Sequence, residues 1–252
     1  MEERDNVIPE NSETLLINET RARFSSAIWY EKIQEQDIIL AGVGGIGGFL
    51  AFLLSRMNPR SITMYDPDRV EAVNMSGQLY SMNDIGDYKA TAINRMIRAY
   101  SNYFNISYLC ERYDYNSLDN KIMICGFDNM EARNIFFNKW LNYVNSLPEN
   151  EKKECLFLDG RLAAEEFQVF CIKGGDQFNI NKYKEEYLFS DEEAEETICS
   201  YKQTTFMANM IASVMVNLFV NFIANQCNPI IDRDVPFYIS YSAETMYYKT
   251  VE

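Results

Sequence analysis

Ile38-Ile39-Leu40-Ala41-Gly42-Val43-Gly44-Gly45-Ile46-Gly47-Gly48 is the stretch on which the reading of this chain turns. Four apolar residues read as a buried strand. The glycines read as a tight turn, and the apolar run that follows reads as the first turns of a helix. Gly42, Gly44 and Gly47 fit G-x-G-x-x-G, with Gly45 inside the turn. In that arrangement backbone N–H groups at a helix N-terminus approach a phosphate without side chains in the way. Asp66 closes the next apolar run, about 20 residues on, where a carboxylate can bind ribose hydroxyls. Alone, this pattern marks a nucleotide site or a glycine turn that merely packs helix on strand.

Working outward, the chain alternates strand and helix. Strands are expected at Asp37–Gly42, Ser61–Asp66, Lys121–Phe127 and Cys155–Asp159. Helices are expected at Ile46–Met57 (stopped by Asn58-Pro59), Tyr88–Ser101 and Asn129–Ser146. The strands are continuous apolar runs, which suits a parallel sheet covered on both faces. Phe167–Lys173 reads as a strand in a different setting, and Phe237–Ser242 with Met246–Val251 as a closing hairpin or two edge strands. The fold expected is α/β: a Rossmann-like, mostly parallel sheet with helices on both faces and extra C-terminal strands. Residues 1–20 are polar and are expected to be poorly ordered. Residues 21–252 form one domain, with a crossover segment at about 175–202.

Composition removes several functions. The chain has 252 residues and no histidine, so Ser-His-Asp triads, Cys-His dyads and histidine–zinc sites cannot be built from it alone. The net charge of -14 argues against a broad nucleic-acid surface. The six cysteines form no C-x-x-C pair, and no signal peptide is evident, so reduced thiols and a cytoplasmic setting are expected. Phe206–Ala224 is largely apolar, but Asn209, Asn217, Asn221 and Asn225 share one helical face. Four amides facing lipid are costly, so a buried or interface helix is expected rather than a membrane span.

Three further segments follow the glycine turn in order. They are Asp66-Pro67-Asp68-Arg69-Val70 leading to Asn74 and Gln78; Asp84-Ile85-Gly86-Asp87-Tyr88-Lys89; and Asp128-Asn129 with Arg133. In order and spacing they resemble the ThiF/MoeB family, the fold of ubiquitin-activating enzymes, over roughly residues 21–225. The resemblance implies ATP-dependent adenylation of a carboxylate, typically the C-terminus of a ubiquitin-like protein or peptide. By that likeness Asp66 binds the ribose, Asn74 and Gln78 lie near the phosphates, and Lys89 holds them. Asp128 faces the triphosphate through Mg²⁺ or water. It also implies a homodimer or close heterodimer. Asp128 can serve equally as the cap of the next helix, and Arg133 reads as a structural ion-pair residue.

Two cations of the family pattern are missing. Gly77 stands where the family has an arginine, and Ser26 replaces a second one that reaches a partner's ATP. Arg21, Arg23, Arg69 and Arg161 are candidates to replace them. Arg161, in Asp159-Gly160-Arg161, could also bind a substrate carboxylate or form a structural salt bridge. Cys199 lies in what looks like the family's crossover segment, where some members carry an acceptor thiol. A following helix favours its thiolate, while the acidic run from Asp191 to Glu196 opposes it. Two other readings compete: a nicotinamide oxidoreductase, and a nucleotide-binding scaffold that recruits a partner without turnover.

Overall fold

The computed structural model describes residues 26–189 and 203–252. Arg21, Arg23, Cys199, the acidic run and most of the crossover's second half lie outside them. The described strands form one eight-stranded sheet in the order β3-β2-β1-β4-β5-β6-β7-β8. Strands β1 (Asp37–Ala41), β2 (Ser61–Tyr65), β3 (Ile106–Leu109), β4 (Ile122–Cys125) and the first half of β5 (Leu156–Ala163) run parallel. Strands β6 (Glu166–Lys173), β7 (Tyr238–Ser242) and β8 (Tyr247–Val251) continue it antiparallel. This is the mixed, mostly parallel α/β architecture expected, with the C-terminal strands as a hairpin at one edge.

The central strands are buried on both faces, which is why they read as unbroken apolar runs. Ile38 and Leu40 point into one core, and Ile39 and Ala41 into the other. The first core lies under α2 (Gly45–Met57), α3 (Lys89–Ser101) and α7 (Thr205–Asn225). The second lies under α4 (Met130–Ser146) and α6 (Gln177–Lys182), and is aromatic: Phe136, Phe137, Trp140, Phe157 and Tyr183 are fully buried. Helix α1 (Ile28–Gln34) packs on α7, and α5 (Glu149–Lys152) is a single turn before β5.

Most expected boundaries shift by one or two residues, within ordinary fraying; β5 instead runs four residues past its expected end, to Ala163, because that stretch pairs with β6. Helix α2 does end at Met57, where Asn58 takes a left-handed conformation (φ 56°) before Pro59. Strand β3 went unread. It is four residues long, half-exposed and at the sheet edge, so it carries little apolar pattern. Residues 177–187 also hold regular structure, α6 followed by a π turn at Tyr183–Tyr187.

Helix α7 is long and apolar enough to cross a membrane by length and composition. In the fold it is a core helix, with Met207, Ile211, Met215, Phe219 and Ile223 buried against α2 and the sheet. Two of its asparagines tie down the following loop. Asn221 Nδ2 donates to Asp234 O at 2.9 Å, and Asn225 exchanges bonds with the backbone of Arg233. Asn209 and Asn217 are exposed. The five described cysteines are unpaired, and Cys125, Cys155 and Cys171 are buried.

Candidate nucleotide site

The strand order reverses at β1, which lies between β2 and β4, so a crevice opens beyond the carboxyl ends of these strands. The glycine turn lies there. Gly42 has φ 77°, a conformation a side chain resists. Gly47 must be bare because a Cβ would fall 1.8 Å from the Gly42 carbonyl oxygen. The first turn of α2 thus rests directly on the loop it follows. Gly126, at the end of β4, closes the other side, its N–H donating to Ala41 O at 3.3 Å.

Asp66 holds the turn. It is 4% exposed, and its two carboxylate oxygens accept the backbone N–H groups of Val43 (2.8 Å) and Asp68 (2.9 Å). Burial pushes its carboxyl up from the ordinary value, while the two N–H donors and the nearby Lys89 ammonium pull it back. A carboxylate offers about four lone-pair directions, so oxygens that bind the loop can still accept ribose hydroxyls. Tyr80 adds a second tie, its hydroxyl donating to Val43 O.

Lys89 begins α3 and is largely buried. Its Nζ donates to Asp68 Oδ2 at 2.9 Å, and its backbone N–H donates to Asp68 O. Asp68, the second carboxylate of Asp-Pro-Asp, is therefore the residue that aims Lys89, a role the sequence reading left unassigned. Asn74 accepts the Glu71 N–H at 2.8 Å in a reciprocal capping box of the short helical turn Ala72–Ser76. Gln78 lies over the glycine turn: its carboxamide is 3.8–4.0 Å from where a Gly44 Cβ would stand, and its Oε1 is buried with no hydrogen-bond partner among the described residues. A buried oxygen left so is costly until a ligand or ion arrives.

Asp128 is exposed, two residues beyond Gly126. The cap of α4 is Asn129 instead, whose side chain accepts the Ala132 N–H at 2.8 Å. Capping does not occupy Asp128, whose recorded bond is from Asn129 Nδ2 at 3.1 Å. Among the described residues no group of three acidic or thiol ligands forms a metal cage. A single exposed carboxylate still fits Mg²⁺, which is commonly held by one or two carboxylates plus substrate phosphates.

The replacement arginines resolve less simply. Arg161 is locked: its Nε donates to Asp159 at 2.7 Å, its Nη2 to Tyr187 O at 2.8 Å, and its guanidinium lies over Phe170. Arg133 donates through Nε to the other Asp159 oxygen at 2.9 Å and through Nη2 to Phe127 O. Tyr183 completes the cluster, donating to Asp159 at 2.9 Å. Arg161 is thus a structural ion-pair residue, the alternative to its reading as a ligand, and so is Arg133. Arg69 stacks on Tyr88 and donates to Gly86 O at 2.7 Å. Arg112, which no motif singled out, lines a cavity of about 420 Å³ with Tyr65, Leu109, Glu111 and Asp114, past the end of β3. The missed signal was a cation just past an unrecognised strand.

Gly77 has a spatial reason. Gln203, from just before α7, lies against it: a Cβ at 77 would stand 2.9 Å from Gln203 Cγ, and one at Gly45 only 2.0 Å from Gln203 Oε1. An arginine at 77 and Gln203 in this position exclude each other.

A glycine turn at a sheet's switch point, an acidic residue just past β2 and a lysine opening the third helix mark a Rossmann-like, mostly parallel α/β protein. The chain belongs to the ThiF family, whose model matches residues 18–252. It is 36% identical over 63 residues to ubiquitin-like modifier-activating enzyme 5 of Caenorhabditis elegans, a match covering 25% of this chain and 15% of that protein. It is 27% identical over 122 residues to the Drosophila persimilis enzyme of the same name, covering 48% of this chain and 31% of that one. The chain thus spans less than a third of these curated relatives' length. Among solved structures, PaaA aligns with TM-score 0.66 at 14% identity, over all of this chain and 77% of its own. E. coli MccB with ATP aligns with TM-score 0.63 at 15% identity, over 97% of this chain and 79% of its own. These likenesses carry the fold.

Proposed function

We propose that the chain binds ATP with Mg²⁺ and adenylates a carboxylate, the C-terminus of a ubiquitin-like protein or of a peptide. The observation that carries this is the convergence of Gly42–Gly48, Asp66, Lys89 and Asp128 at the carboxyl ends of β1, β2 and β4. Family membership and the curated relatives' name support the substrate class.

In this reading the glycine turn and the α2 N-terminus seat the phosphates, Asp66 takes the ribose, and the cavity beside Tyr65 and Arg112 takes the base. Lys89 neutralises charge as it grows on the phosphates, and Asp128 would hold Mg²⁺, which supplies further positive charge to the leaving pyrophosphate. The attacking carboxylate is already ionised at neutral pH, so a histidine-free chain needs no general base. Its oxygen bonds to the α-phosphorus, the bond to pyrophosphate breaks, and position and charge supply the acceleration. Cys199 then attacks the acyl carbon as thiolate, forming a thioester and expelling AMP.

Radiolabelled pyrophosphate should exchange into ATP only when a cognate carboxylate protein or peptide is present. The Cys199→Ala variant should keep that exchange and lose any reductant-sensitive adduct on a non-reducing gel. Tight NADH binding with no exchange for any glycine-ended substrate would overturn the adenylation reading.

We also propose that the chain pairs. The outward face of α7 is uncharged from end to end, and Phe206, Asn209, Ser213 and Asn217 are exposed along it. Light scattering at micromolar concentration should give twice the 29.4 kDa chain mass, or a complex with a second family member. A monomer under both conditions counts against this.

A further inference from the structure

The space over the glycine turn is already filled by a side chain of the protein itself. Gln203 Oε1 lies where a Cβ on Gly45 would be, within 2.0 Å, and Gly45 is the first residue of α2. Glycine at this position leaves room for a ligand to approach the backbone closely, and that room is what Gln203 uses. The group placed there is a carbonyl oxygen, a partial negative charge at the positive end of a thirteen-residue helix. It resembles one oxygen of a phosphate in polarity.

The backbone of Gln203 is pinned on both sides. It forms a parallel bridge with Ala164 in the β5–β6 turn, and Thr205 Oγ1 donates to Ser76 O at 2.6 Å. The side chain is free of such ties: none of the described bonds fixes its carboxamide, and it has three rotatable torsions of its own. Gly77 forms the facing wall, bare where a longer side chain would push the carboxamide out.

We propose that the Gln203 carboxamide is a built-in competitor for the phosphate seat, swung aside when nucleotide binds. This rests on the reading that the glycine turn seats ATP. A seat open for only a fraction of the time lowers apparent affinity by that fraction. The residue thereby sets how much nucleotide the chain needs before it loads, and the Gly77 departure is the other half of the same device.

Calorimetric titration of Mg²⁺-ATP into the full chain tests it, using wild type, Gln203→Ala and Gln203→Glu. A seat open between a tenth and a third of the time predicts ATP binding about three- to tenfold tighter in Gln203→Ala. Gln203→Glu keeps the shape but adds a full negative charge at the seat, so it should bind ATP more weakly than wild type. If Gln203→Ala binds ATP equally or more weakly, or Gln203→Glu equally or more tightly, the competitor role is overturned. Should none of the three bind ATP while their thermal melts coincide, the nucleotide reading itself falls, a result distinct from equal binding by all.

Discussion

Asp159→Ala is expected to destabilise the fold by about 3–5 kcal/mol, the usual cost of removing one partner from a buried charged network. Asp159 is completely buried midway along β5, where its parallel pairing with β4 ends, and both its oxygens are taken by the Arg133 and Arg161 guanidinia, with Tyr183 as third donor. Burial opposes its charge, but the two guanidinia outweigh it and hold the carboxyl below its ordinary value. Without the carboxylate, two guanidinia face each other in an aromatic core with nothing to neutralise them. Urea unfolding followed by circular dichroism measures the loss; a change under about 1 kcal/mol would mean that the arginines find water or other partners. The sign of the pH effect follows. A carboxyl lowered on folding stabilises above its unfolded value, 3.8, and loses that contribution only as pH falls through its lower folded value. The same change should also loosen the segment that follows β4, because Arg133 holds the carbonyl of Phe127, the residue before Asp128.

Lys89→Ala should leave the fold intact and lower pyrophosphate exchange by about 100- to 1,000-fold, the range for removing one preorganised group that meets charge developing in a transition state. The fold survives because alanine suits the first turn of a helix and the lost pair is with Asp68, which is 63% exposed. Asp68→Asn separates aim from charge. It frees the ammonium without removing it, so its exchange rate should fall by less than that of Lys89→Ala. Equal losses in the two variants would make the pair itself, rather than the lysine charge, the active feature. Exchange unchanged in Lys89→Ala would remove Lys89 from the site.

What was legible in the sequence was what repeats locally. The glycine turn, Asp66 and the apolar strands are each set by neighbours a few residues away, and each appears where expected. The sheet's mixed character was legible from the shift in pattern after Asp159. What was not legible depends on chain partners far apart. Nothing near Gln203 announces that it meets Gly45 and Gly77, because the contact joins segments more than a hundred residues apart and runs through no apolar pattern. Arg161 read equally as a ligand or a salt-bridge residue, since the strand was expected to end at Asp159; only the fold shows the strand running on to Ala163 and Tyr183 and Tyr187 closing on the guanidinium. Asn129 and Asp128 are both acceptable caps by residue type, and the turn's geometry chose between them. Asp68 was quoted within its motif but not assigned, since a second carboxylate two residues after the first is as easily a solvated turn residue.

The pairing of the strands also sets a timetable. Strands β5 and β6 meet across a two-residue turn, with Leu156 opposite Lys173 at the far end, so this hairpin closes a short loop. Ile38 of β1, by contrast, pairs with Ile122 of β4. Closing so long a loop is slow and comes after local structure has formed. During synthesis the glycine turn therefore leaves the ribosome among the first ordered parts but is among the last to be finished. Its wall at Gly126 and its cover at Gln203 both arrive much later. A ribosome-bound chain halted before residue 126 would carry the glycine turn, Asp66 and Lys89 and still lack the wall that Gly126 supplies against Gly42.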